Sequence, residues 1–144
     1  MVLAGQTIVA GQVPGERVAT DIETIDSANV TTTETVVQTV VAPVISGRTY
    51  RVRWHGDLAS SVAADIFFVK IREDTVAGNT LDFRRYRAHT TDNFPYSTEV
   101  EYTADATEDK TFVFTLVRSA GTGNGRLDAT STSPAYLYVN YIRG

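Results

Sequence analysis

The 144 residues include no cysteine, two lysines, two histidines, one methionine and one tryptophan. Without cysteine neither a disulfide framework nor a thiolate metal site can form, so the fold must hold by packing alone. At this length about two thirds of the unfolded surface can be buried in one domain, which is enough without staples. No run of about 18 apolar residues occurs, which argues against a helical membrane span. The beginning, MVLAGQTIVAGQVPGERVA, lacks a basic segment followed by a long apolar one. That absence predicts synthesis in a cytoplasm without a secretory signal. A formal charge of -4 speaks against a surface that tracks phosphates, so nucleic acid is not an expected partner. Helical periodicity is also nearly missing.

What is present is alternation with a period of two, in short blocks rich in Val, Thr, Ile, Tyr and Phe. The blocks are Arg17 to Ile25, Thr33 to Ala42, Arg48 to Gly56, Ala63 to Asp74, Thr80 to His89, Ser97 to Ala104, Lys110 to Arg118 and Ser133 to Gly144. Gly, Pro, Asn, Asp and Ser separate them. The second block is expected to end at Pro43, which cannot donate to a central ladder. In RTYRVRWHG, Tyr50, Val52 and Trp54 point one way and Arg51, Arg53 and His55 the other, giving one dry and one wet face. Eight such blocks predict an all-β fold, an antiparallel two-sheet β-sandwich of jelly-roll-like topology. The expected organisation is an extended N-terminal arm over residues 1–16 and a sandwich domain over 17–144. The segment from Ser119 to Pro134 is expected to be an exposed, mobile hairpin.

No arrangement of residues points to catalysis, a cofactor or a metal. His55 and His89 lack the close spacing of a metal pair, and the carboxylates are scattered singly through turns and strand exteriors. GTGNG, Gly121 to Gly125, lacks the Lys-Ser/Thr and the helix of a phosphate loop and reads as a turn. Arg51, Arg53, Arg84, Arg85 and Arg87, with His55, form a candidate partner surface. The plainer alternative is a solvated face on which these arginines pair with Asp82, Glu99 and Glu101. Trp54, Tyr86 and Tyr96 are candidate contacts for a glycan.

Three blocks break the one-face rule. In SPAYLYVNYIRG, Leu137, Val139 and Tyr141 alternate with Tyr136, Tyr138 and Ile142, and the fourth and seventh blocks add Phe68, Val113 and Val117 on the supposedly wet side. A sandwich buries one face per sheet, so these six residues are expected to meet a second copy of the chain. Even 400 Å² of such surface represents about 10 kcal/mol of gross driving force. The competing local reading is that the N-terminal arm folds back over the same strip.

The order TTTETVV, SGRTYRVRW, SVAAD, KIRED with GNTL, EVEYTA, KTFVFTLVRSAGTGN and SPAYLYVNYIRG resembles a module of structural proteins from tailed phages of actinobacteria. The resemblance covers about residues 17 to 144, with KIRED and the YLYVNYIRG ending as its most specific parts. It implies a non-enzymatic virion protein displayed on the particle exterior, a minor tail or tail-fibre-associated knob or a capsid decoration protein, assembled as a homotrimer. It also implies other virion proteins as partners. A host cell-surface glycan is the partner expected if the module is instead an adhesin at a fibre tip.

Overall fold

A computed structural model describes residues 13–144; most of the expected arm, residues 1–12, lies outside the described residues. Nine strands form: β1 (Arg17–Glu23), β2 (Thr35–Val44), β3 (Thr49–Ser60), β4 (Ile66–Glu73), β5 (Thr80–Arg87), β6 (Phe94–Thr103), β7 (Glu108–Ala120), β8 (Gly125–Asp128) and β9 (Ala135–Arg143). No helix occurs among the described residues.

The strands make two antiparallel sheets. One runs β1-β9-β3-β6, with β8 also paired to β3, and the other runs β2-β7-β4-β5. The first four strands swap sheets after β1, β2 and β3, and β9 returns between β1 and β3, which is the strand order of a jelly roll. The expected all-β two-sheet sandwich is therefore the observed architecture. β2 continues through Pro43, opposite Asp109 of β7, because β2 is an edge strand where a missing N–H interrupts no central ladder.

Between the sheets lies a core of inward residues at every second position, Tyr50, Val52 and Trp54 from β3 and Phe112, Phe114 and Leu116 from β7 among them. The Trp54 indole stacks on Phe114 with centroids 4.1 Å apart and planes 6° apart, joining the two sheets at their centre.

The segment expected to be a mobile hairpin is instead tied down. Its residues Gly125 to Asp128 are β8, paired with Asp57 to Ser60 of β3, and Leu127 is fully buried. Buried Asp65 accepts the backbone N–H of Gly123 at 2.7 Å and of Thr122 at 3.3 Å, so the turn before β8 closes on a carboxylate. Gly121 takes a φ of +103° there, and a Cβ would strike the Asp65 carboxylate. The expected reading of GTGNG as a turn agrees with this.

The sandwich begins before residue 17. Gly15 donates its N–H to the Tyr141 carbonyl at 2.7 Å, and the Tyr141 N–H returns a bond to Glu16 at 2.8 Å.

Candidate functional site

The six residues expected to form one interface lie on opposite sides of the sandwich. Tyr136, Tyr138 and Ile142 project from β9 on the outer face of the β1-β9-β3-β6 sheet. Phe68, Val113 and Val117 project from β4 and β7 on the outer face of the other sheet. A contact that pairs the same patch on both copies can cover only one of the two groups.

At the centre of the β2-β7-β4-β5 sheet the outer face carries a cluster of the chain's own charged side chains. Glu34 accepts hydrogen bonds from Lys70 Nζ at 2.7 Å, Arg72 Nε at 2.7 Å and Thr115 Oγ1 at 2.7 Å. Arg72 stands opposite Val113 in the ladder with β7, and Val113 retains 3 % exposure, so Val113 is withdrawn as an interface residue. Burial would raise the Glu34 pKa, but the bonds from Arg72, Lys70 and Thr115 win and lower it from 4.5 to about 2. What stays open lies on either side of this network, a patch on β4, β5 and β7 and, across the sheet, two valines of the edge strand β2. Phe68 packs on Phe83 with centroids 4.8 Å apart, Val117 lies opposite Phe68, and Phe83, Val36 and Val41 are exposed. Arg85 pairs with Phe68 across the ladder, and Arg87 pairs with Ile66 at the end of β5, so both border the patch.

On the β1-β9-β3-β6 sheet the outer face is polar with aromatic inserts. Arg51 sits 3.5 Å from Glu101 and 3.9 Å from Glu99, Arg53 sits 3.8 Å from Glu99, and Arg143 reaches Glu101 at 2.8 Å. The expected arginine surface is thus split. Arg51 and Arg53 belong to this ladder, and Arg84, 3.1 Å from Asp82, reaches toward it past the β6 edge. Arg85 and Arg87 belong to the opposite face. The solvated ion-paired reading describes Arg51, Arg53 and Arg84.

Between β9 and β3 the face is aromatic. The His55 ring stacks on Tyr136 with centroids 4.8 Å apart and planes 16° apart, and meets Tyr138 edge-on at 5.9 Å. The Arg17 guanidinium lies 4.0 Å from the centre of the Tyr138 ring. Burial lowers the His55 pKa from 6.5, and the nearby charges of Arg53 and Arg17 lower it further. β1 thereby supplies part of the local cover expected of an arm. Beside this cluster an open groove of about 540 Å³ runs along β3 and β6 to the turn before β9, with Arg53, His55, Asp57, Ser97, Ser133 and Tyr138 on its walls. Sequence patterning marked Arg53, His55 and Tyr138. It placed Ser97 and Ser133 on no candidate surface, and these meet Asp57 only through the β3-β6 pairing and the turn before β9.

Trp54 and Tyr86 are corrected as glycan contacts: Trp54 is fully buried and Tyr86 is 5 % exposed, both in the core. Tyr96 is half-buried and touches the same core, 5.7 Å from the Tyr86 ring. The His89 ring lies 5.6 Å from Phe94 and tilted by 50° to it, away from His55, and no group of three potential metal ligands occurs among the described residues.

No family model matches the chain, and no curated protein does. Among solved structures, a carbohydrate-binding module (CBM4) is similar at 13% identity and a TM-score of 0.31, over 71% of this chain and 68% of that one. A structure of infectious bursal disease virus, Gx strain, is similar at 13% identity and a TM-score of 0.38, over 87% of this chain and 32% of that one. The VP2 subviral particle of the same virus gives 10% identity and a TM-score of 0.37, over 85% of this chain and 38% of that one. This chain therefore spans about a third of the length of the viral chains. At these TM-scores the likenesses carry no argument about what the chain does.

Proposed function

We propose that the chain is a non-enzymatic structural protein of a tailed-phage virion, displayed on the particle exterior and assembled as a homotrimer with other virion proteins around it. The sequence resemblance supports the virion setting, and a jelly roll provides a rigid body that needs no chemistry of its own. Its action is packing and the multivalent display of identical loops.

The observation that carries the assembly is the contrast between the two outer faces. At the centre of the β2-β7-β4-β5 face the charged side chains are paired and already nearly dry, with Lys70, Arg72 and Glu34 side chains 13%, 15% and 18% exposed. Covering Phe83, Phe68 and Val117 with a second copy removes apolar surface from water, and the exposed Arg85 and Arg87 that border this patch can stay at a solvated rim. On the other face Arg51, Glu99 and Glu101 are 45%, 48% and 44% exposed, and burying them would forfeit hydration. The copies meet through the first face.

Light scattering on the purified protein tests this, with a mass near three times 15.7 kDa expected. Phe83→Glu should reduce it to one chain, while Arg51→Ala should leave it unchanged. A monomeric wild type, or an assembly indifferent to Phe83→Glu, would overturn the reading.

A further inference from the structure

The groove beside His55 has features that an assembly role does not use. It is open, it lies on the sheet facing away from the assembly strip, and it sets donors and acceptors of both signs against one aromatic ring. Ser133 donates its hydroxyl to Asp57 Oδ2 at 3.0 Å, which fixes the turn forming one wall. On the floor, His55 is clamped between Tyr136 and Tyr138. Tyr138 is itself held from behind by Arg17. The walls are therefore shaped before any ligand arrives, which lowers the ordering cost of binding.

The chemistry of the walls selects the occupant. Arg53 is the cation inside the groove, and its own carboxylate partner, Glu99, stands off at 3.8 Å. A charge-assisted N–H···O bond is shorter, about 2.7 to 2.9 Å, so a better placed carboxylate can approach this guanidinium more closely than Glu99 does. Arg17 adds positive potential behind Tyr138. At the other end Asp57, Ser97 and Ser133 offer acceptors and hydroxyls without a cation, beside the flat rings of Pro95, Tyr96 and Pro134. A nucleic acid would meet Asp57 and Glu99 along its phosphate track. A peptide side chain would find an open groove without an enclosed socket to bury it. A sugar ring bearing a carboxylate matches both ends: the carboxylate on Arg53, ring hydroxyls on Asp57, Ser97 and Ser133, and a ring face against Tyr138.

We infer that this groove binds an acidic saccharide, with Arg53 taking a uronate carboxylate and Asp57 and Ser133 taking hydroxyls of the same or the next ring. The inference does not rest on trimer formation, since Phe83→Glu separates copies through the opposite sheet. Three copies holding one polymer would convert a weak site into firm attachment.

The test is a titration of isotope-labelled full-length protein with tetragalacturonate, followed by amide chemical shifts, beside maltotetraose as neutral sugar and tetraglutamate as acidic peptide. Tetragalacturonate should shift amides at Arg53, His55, Ser97 and Ser133 with a dissociation constant on the order of 1 mM per site. Arg53→Gln should weaken it tenfold or more, and Arg85→Ala, on the opposite face, should not change it. Running both variants as Phe83→Glu monomers separates this outcome from any failure to assemble. Absence of shifts with tetragalacturonate, equal binding of maltotetraose or tetraglutamate, or indifference to Arg53→Gln would each overturn the inference.

Discussion

Trp54 of β3 donates its indole N–H to Gln38 Oε1 of β2 at 2.8 Å, a buried hydrogen bond that crosses from one sheet to the other. Gln38 is 2 % exposed, and its amide nitrogen is used as well, donating to Asp21 Oδ2 at 2.9 Å and to the Ala135 carbonyl at 3.3 Å. One side chain thus links β2, β3, β1 and β9. A core built from apolar residues alone could slide by one register step; a fully bonded amide in its centre resists that.

Gln38→Leu should therefore be destabilising although it makes the core more apolar. The Trp54 N–H would be left buried without an acceptor, at a cost of about 1 to 3 kcal/mol. For a chain of this size each kcal/mol lowers the melting midpoint by about 2 to 4 °C. Calorimetry should show a depressed midpoint, and an unchanged or raised one would show that the bond is expendable.

Gly125 opens β8 and is buried against the Phe67 ring, where an added Cβ would collide with the aromatic edge. It also exchanges backbone bonds with Val30, 2.7 and 2.9 Å in the two directions. Gly125→Ala should destabilise by about 1 to 3 kcal/mol through overpacking. Combining it with Phe67→Leu should recover part of the loss, a non-additivity that a double-mutant cycle in urea would read. Full additivity would mean that the two positions do not press on one another.

β8 is also the strand that patterning in the sequence misses. Four residues, GRLD, with Leu127 the only large apolar member, fall below the length at which alternation can be recognised, and the flanking Gly, Asn, Asp, Ser and Thr imitate a loop. The other eight strands are legible because each alternates over seven residues or more. The wet faces are less legible. Phe68 and Tyr138 obey the same parity rule within their own strands, yet which sheet each strand joins is decided by pairing. Val113 looks exposed in KTFVFTLVR because its cross-strand neighbours, Thr39 and Arg72, lie far away in the sequence, and Arg72 is itself held by Glu34 at 2.7 Å. Long charged side chains that cover apolar surface leave no periodic trace in sequence.

Glu34 supplies a prediction about acid. Its folded pKa of about 2 lies below the ordinary 4.5, so ionised Glu34 stabilises the fold above that ordinary value. The contribution declines as pH falls from about 4.5 through 2, because the unfolded chain takes the proton first. The size is on the order of 2 kcal/mol. Glu34→Gln should lower stability at neutral pH and flatten the loss on acidification. Urea midpoints measured down the acid limb for both proteins check this, and parallel acid limbs would remove Glu34 as the sensitive group.

His55 acts in a higher window and through charge of the opposite sign. Its folded pKa lies below the ordinary 6.5 because burial against Tyr136 and Tyr138, with Arg53 and Arg17 nearby, disfavours the imidazolium. As pH falls through 6.5 the unfolded chain is protonated before the folded one, so stability drops until the folded group titrates as well. His55→Gln keeps a polar planar group beside Tyr136 and removes the titration. The wild type should therefore lose stability relative to this variant as pH falls through 6.5. If instead the wild type gains on the variant as the solution is acidified, the imidazolium finds a partner among Asp57, Glu99 and the tyrosine rings that outweighs the two arginines, and the positive potential ascribed to this face is wrong.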